Sequence, residues 1–211
     1  MKTRDKILLT ARQLFNQDGL SEVSSRNVSD QLGISYGNLC YHFPKKDDLV
    51  LSLYHEMQQK LDTEVARLQS EILGFDFMVH SLRGMLETYD EYRFVYLDLP
   101  QLIRRFPEIR EHSRTQYRNR VKICRDIYGF LIMGGYLRPE HFDGHYDLLA
   151  QNMLMILNHW VVDAAIYYEG PAEKRVDHYL ALIYRFVSAS LTRKGADAFI
   201  RVYEQVGKVS D

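Results

Sequence analysis

The chain has 211 residues, is 46% hydrophobic and carries a formal net charge of −1, so it can bury a substantial core. That balance argues against disorder and against a protein that coats nucleic acid by bulk charge. Any polyanion site must be local: up to residue 46, seven Lys and Arg face four Asp and Glu, a balance of +3 against −4 for the remainder.

Apolar residues recur at spacings of three and four throughout, and no segment sustains strand-type alternation, so the periodicity predicts an all-α fold. The five prolines, Pro44, Pro100, Pro107, Pro139 and Pro171, fall between periodic segments or in their first turns, where a missing N–H costs least. A first helix is predicted over 3–18, with Ile7, Ala11, Leu14 and Phe15 on one face and Gly19 as its stop. A short second helix over 25–32 takes Ser24 as its cap, and a third over 36–43 takes Ser35. A long fourth helix begins near Lys46, with Leu49, Leu53, Met57, Leu61, Val65, Leu68 and Ile72 along one stripe. Further helical segments are expected at 75–92, 93–105, 107–133, 145–168, 172–192 and 196–206.

The stretch from Ser24 to Phe43 carries the most specific chemistry. Val28 and Leu32 on one helix, with Ile34, Leu39 and Phe43 around the next, form an apolar wedge, and Ser29 is small where the backbones approach. Gly33 can take the positive φ needed to leave the second helix sharply. Ser35 then caps the third helix, so that its leading N–H groups and side chains can enter a major groove.

This corner is followed at once by Tyr41-His42-Phe43-Pro44-Lys45-Lys46-Asp47-Asp48-Leu49, and the combined pattern over about 3–53 closely resembles the DNA-binding domain of the TetR family. The resemblance implies an all-α chain in which residues 1–46 form a three-helix, helix-turn-helix DNA-binding domain. The long helix joins it to an effector-binding and dimerisation domain over 47–211. It also implies a recognition surface of Ser35, Tyr36, Gly37, Asn38, Tyr41 and His42, with Ser24, Arg26 and Lys46 meeting phosphate. Phosphate contacts set position, and base-edge contacts set sequence choice. The Asn38 amide can read adenine or face a phosphate. Family members most often carry a tyrosine where this chain has Cys40, which removes one backbone contact; the thiol reads as a small neutral filler, with a redox sensor as the alternative.

A weaker resemblance, to the effector domain of one TetR subgroup, runs from Tyr92-Arg93-Phe94-Val95-Tyr96-Leu97-Asp98-Leu99-Pro100 through Arg104-Arg105-Phe106-Pro107-Glu108-Ile109 to Gly135-Tyr136-Leu137-Arg138. By analogy, a ligand cavity lies among the central helices, with Phe77, Met78, Tyr89, Tyr92, Phe94, Tyr96, Tyr128, Met133 and Trp160 as candidate lining; plain core is the alternative for each. The last two long segments are apolar on more than one face. Leu149, Met153, Ile156 and Trp160 form one stripe, widened by Leu148, Met155, Val162 and Ile166, and the next segment repeats the pattern through Val176, Tyr179, Leu180, Ile183, Tyr184, Val187 and Leu191. Such helices need cover beyond their own domain. A homodimer through Met155, Val162, Ile166, Tyr179, Ile183 and Phe186 is therefore expected, with a wholly internal helix pair as the alternative.

No glycine-rich phosphate loop, nucleophile elbow or HExxH is present, so no catalytic residue, metal or cofactor is assigned. His141 and His145 read as loop histidines, and Arg104-Arg105 and Arg118-Asn119-Arg120 as solvated helix faces, although a basic group near a cavity could hold an acidic ligand. Cys40 and Cys124 are too few for a disulfide framework. The start lacks a signal-peptide core, and the most apolar stretch, 148–168, is too polar for a membrane span. The expectation is a cytoplasmic regulator that binds double-stranded operator DNA as a homodimer and is released by a small organic effector, with no membrane association. An activator or effector-independent regulator is the nearer alternative, and a helical enzyme or carrier the more distant one.

Overall fold

The computed structural model describes residues 2–70 and 75–207, and over that range the chain is a succession of helices. Three short ones come first: α1 (Thr3–Asp18), α2 (Ser25–Leu32) and α3 (Tyr36–His42). Gly19 stops α1 at φ 87°, and Gly33 ends α2 in the left-handed region at φ 70°, where a side chain would be strained. The start of α2 is closed reciprocally, since Ser24 Oγ accepts the Asn27 N–H at 3.2 Å and Asn27 Oδ1 accepts the Ser24 N–H at 2.9 Å. At α3, Ser35 Oγ accepts the Asn38 N–H at 3.2 Å. Val28, Ser29 and Leu39 are fully buried between these helices, and the Ser29 hydroxyl is satisfied by the Arg26 carbonyl at 2.9 Å.

From Lys46 the chain enters α4 (Lys46–Ser70), whose residues Leu49, Leu53, Met57 and Leu61 are buried as their spacing predicts; Ile72 lies outside the described residues. Then follow α5 (Phe75–Glu91), α6 (Arg93–Leu97), α7 (Leu99–Arg105), α8 (Pro107–Met133), α9 (His145–Tyr167), a short 3₁₀ turn (Ala172–Lys174), α10 (Arg175–Ser188) and α11 (Arg193–Gly207). No helix among the described residues is long and apolar enough to cross a membrane.

Two expected segments are divided. The helix expected over 93–105 breaks at Asp98, because Pro100 has no N–H to give and its ring would press on the carbonyl one turn back. Asp98 is instead free to accept the Leu20 N–H through Oδ2 at 3.1 Å. The segment expected over 172–192 ends at Ser188. The backbone then pairs antiparallel with the turn after α8, Arg138 N–H donating to Ser190 at 2.9 Å and Thr192 N–H to Tyr136 at 2.9 Å.

One apolar cluster runs without interruption from Ile7 and Phe15 on α1 to Tyr184 on α10. The Phe15 and Phe94 rings, 5.3 Å apart, carry it between α1 and α6. The three N-terminal helices are thus seated on the larger body by shared core as well as by the continuity of α4.

Candidate nucleic-acid interface and internal cavity

The outward face of α3 is uncovered. Tyr36, Gly37 and Asn38 in its first turn are exposed, and Tyr41 is 84% exposed. Ser35 is exposed but spends its hydroxyl on the cap, and His42 is half-buried with its ring edge against Tyr41 at 5.2 Å. Arg26 on α2 lies 5.3 Å over the Tyr36 ring, so a cation and a phenol from adjacent helices stand side by side. Cys40 sits one turn from Tyr36, and the thiol beside the phenol raises the Tyr36 pKa above its ordinary value. Ser24, at the start of α2, is exposed.

Lys46 departs from expectation. Its ammonium donates to the Leu20 carbonyl and lies 5.8 Å from the Phe15 ring centroid, and burial lowers its pKa, with the Arg105 charge acting in the same direction. It braces the turn between α1 and α2 rather than facing outward. The neighbouring Lys45, which the sequence reading passed over, is the exposed member of the pair. Lys45 precedes the helix that Lys46 begins, and composition alone does not choose between adjacent lysines.

Inside the larger body is a cavity of about 100 Å³ bounded by α4, α5, α8, α9, α10 and α11. Its walls are aliphatic and aromatic: Leu82 and Met85 from α5, Ile127 and Tyr128 from α8, Leu157 from α9 and Ile183 from α10 are representative. Arg120 on α8 is the one charged residue lining it among those described. Its Nη1 donates to the Tyr89 hydroxyl at 3.0 Å, while Nε and Nη2 are buried without a partner. Arg120 is therefore no part of a solvated face, unlike the exposed Arg118 two residues before it.

Of the nine residues expected to line a cavity, Tyr89 and Tyr128 do so. Tyr92 is buried at the junction with α1, where its hydroxyl donates to Glu56 at 2.6 Å and Arg12 and Lys60 lie 4.9 and 5.1 Å from its ring. Phe94 packs on Phe15, Tyr96 is buried behind Tyr89 with ring centroids 4.7 Å apart, and Trp160 packs on Tyr179 at 5.2 Å. None of these four reaches the cavity wall. Met133 ends α8 and is 81% exposed. The side chains of Phe77 and Met78 lie outside the described residues.

The surface expected to pair protomers divides in a similar way. Met155 and Ile166 on α9 are 58% and 64% exposed, Val162 and Phe186 are half-buried, and Tyr179 and Ile183 are buried within the protomer. The last two point inward because α10 turns that stripe toward α5 and α9; Ile183 in fact lines the cavity. His145 starts α9 and His141 is exposed in the preceding loop, their rings 5.5 Å apart. Among the described residues no group of three metal-ligating side chains is assembled.

Comparison with known proteins finds matches over both parts of the chain. Residues 7–53 match the model of the tetR family of bacterial regulatory proteins, and residues 56–199 match a model described as a bacterial transcriptional repressor, TetR. The chain is 30% identical to the HTH-type transcriptional repressor AcnR of Corynebacterium efficiens and to that of Corynebacterium glutamicum. Those alignments take in 52% and 59% of this chain and span 55% and 66% of the two relatives. A TetR-family transcriptional regulator from Marinobacter aquaeolei VT8 shares the fold with a TM-score of 0.85 at 22% identity, over 97% of this chain and 98% of that one.

Proposed function

The chain belongs to the tetR family of bacterial regulatory proteins, and from that premise we propose that it represses transcription by binding a palindromic operator as a homodimer and is released by a small organic effector. The observation that carries this reading is the uncovered first turn of α3, where Tyr36, Gly37 and Asn38 stand exposed behind the Ser35 cap. Residues 1–46 act as the DNA-binding unit, with Arg26 and Lys45 supplying cations to phosphate. Residues 47–211 receive the effector and the second protomer.

Two recognition helices related by a two-fold axis engage half-sites about one helical turn, roughly 34 Å, apart or somewhat more. An effector in the cavity displaces α4, α5 or α8, and the three N-terminal helices follow because they share core with α4 and α6. Affinity requires both half-sites together, so a modest change of spacing releases DNA.

The test is binding of the purified protein to DNA from upstream of its own gene, titrated with salt. Preference for that DNA over a scrambled sequence is expected, with affinity falling by about 10³–10⁵ between 50 and 200 mM salt if six to ten phosphates are contacted. Equal affinity for both DNAs, or a flat salt response, would reject the reading.

A further inference from the structure

We infer that the cavity takes a small apolar molecule bearing a carboxylate, which is gripped head-first by Arg120. This rests on the proposal that the cavity is an effector site, and it adds the chemical class of the ligand.

A guanidinium is protonated at every accessible pH, so Arg120 brings a permanent charge to walls that are otherwise almost wholly apolar. Tyr89 satisfies one of its nitrogens, and Asp62 attracts the guanidinium through space without hydrogen-bonding to it. Donor groups buried without an acceptor are costly, and an anion that reaches them removes that cost. The two unpartnered nitrogens, Nε and Nη2, make up the edge that grips a carboxylate through two parallel hydrogen bonds; both are covered by neighbouring side chains, so the Arg120 side chain turns toward the cavity as an anion enters. The same edge grips a carboxylate elsewhere in the molecule, where Arg105 Nε and Nη2 hold the two Asp47 oxygens at 3.0 and 2.9 Å.

Beyond the head group the site is greasy. Leu82, Met85, Ile127, Leu157 and Ile183 offer no hydrogen bonds, and a trapped water wants two to four polar partners. The cavity volume of about 100 Å³ is several times the roughly 10–15 Å³ that seats one water. An alkyl or aryl body fills such walls, and the single charge fixes its orientation.

The experiment measures binding of octanoate and 4-butylbenzoate, each beside its neutral alcohol, to the wild-type chain and to Arg120→Met by calorimetry. Wild type should bind at least one acid tenfold or more tighter than its alcohol, and Arg120→Met should keep alcohol binding while losing the preference. Arg120→Lys, which keeps the charge without the fork, should retain a weaker preference and guards against a misfolded methionine variant. Acid and alcohol binding equally to wild type, or a preference surviving in Arg120→Met, would overturn the carboxylate inference and leave the cavity as an effector site. Failure of all four compounds to bind wild type would overturn both.

Discussion

The side chain of Asn16 on α1 closes on the turn that leads to Phe94: its amide donates to the Glu91 carbonyl at 2.8 Å, and its oxygen accepts the Phe94 N–H at 3.1 Å. Glu91 itself receives Arg12 from α1 and Lys60 from α4, the latter at 2.7 and 2.9 Å. The N-terminal helices are therefore attached to the larger body at the end of α5 as well as through α4. A displacement of α5, which carries Leu82, Met85 and Tyr89 of the cavity wall, reaches α1 directly.

Replacing Asn16 with Ala leaves two part-buried backbone groups unpaired, so a loss of about 1–3 kcal/mol is expected. For a chain of this size that lowers Tm by roughly 2–4 °C per kcal/mol. Asn16→Asp keeps the acceptor for Phe94 but sets a carboxylate against the Glu91 carbonyl, and should be at least as damaging. Thermal melts of both variants within a degree of wild type would show that the clamp contributes nothing.

Gly37 separates stability from DNA contact. A Cβ built there meets nothing within 4 Å and its φ is not positive, so Gly37→Ala is free of strain and gains roughly 0.8–1.0 kcal/mol of helix propensity. The methyl group stands on the exposed face where the backbone of α3 would approach the groove. The variant should melt higher than wild type and bind its upstream DNA about tenfold more weakly, equivalent to about 1.4 kcal/mol. Unchanged DNA affinity in a well-folded variant would remove Gly37 from the contact face.

The helices were readable from sequence because their signals are local: apolar spacing places Leu49, Leu53, Met57 and Leu61 on one stripe, and Ser24, Gly33 and Ser35 mark ends through bonds to residues three or four positions away. The cavity was less readable. Which aromatic residues reach it depends on how α5, α8, α9 and α10 are rotated against one another, so Tyr92, Phe94, Tyr96 and Trp160 proved to be core with the same composition as lining. A usable signal did exist for Arg120. It lies three, four, seven and eight residues before Ile123, Cys124, Ile127 and Tyr128, on the apolar stripe of α8, whereas Arg118 does not. The Asn16 clamp joins residues more than seventy positions apart, and no local pattern announces it.

The two cysteines report on their surroundings. Burial pushes the Cys124 thiol up to about 11 from an ordinary value of 9.0, with the Arg120 charge opposing the shift. Two units leave about one hundredth of the usual thiolate at a given pH, and thiolate is the form that alkylates. Both cysteines are half-buried as residues, so iodoacetamide at pH 8 should reach Cys124 yet label it only slowly, with the Cys40 peptide as internal reference. Labelling of Cys124 should rise about tenfold per unit of pH up to about 11. Removing the cation in Arg120→Met should raise that pKa further and slow the reaction. Mass spectrometry of the two cysteine peptides checks each step, and prompt labelling of Cys124 at pH 8 would contradict a thiol held in its protonated form.

The proposed protomer contact can be tested by contrasting two isoleucines on the paired helices. Ile166 on α9 is 64% exposed, in line with the exposed Met155, whereas Ile183 on α10 is fully buried in the protomer. A charge at the first position meets water in a monomer and an apolar partner surface in a dimer, where desolvating it costs several kcal/mol. Ile166→Arg should therefore keep its helical spectrum and run as a monomer. Ile183→Ala opens a void instead, with a loss of about 2–5 kcal/mol, and its folded fraction should still associate. Mass measurement in solution separates the outcomes: a dimer that survives Ile166→Arg would place the interface on another face, and one lost only in Ile183→Ala would mean that association follows folding rather than this surface.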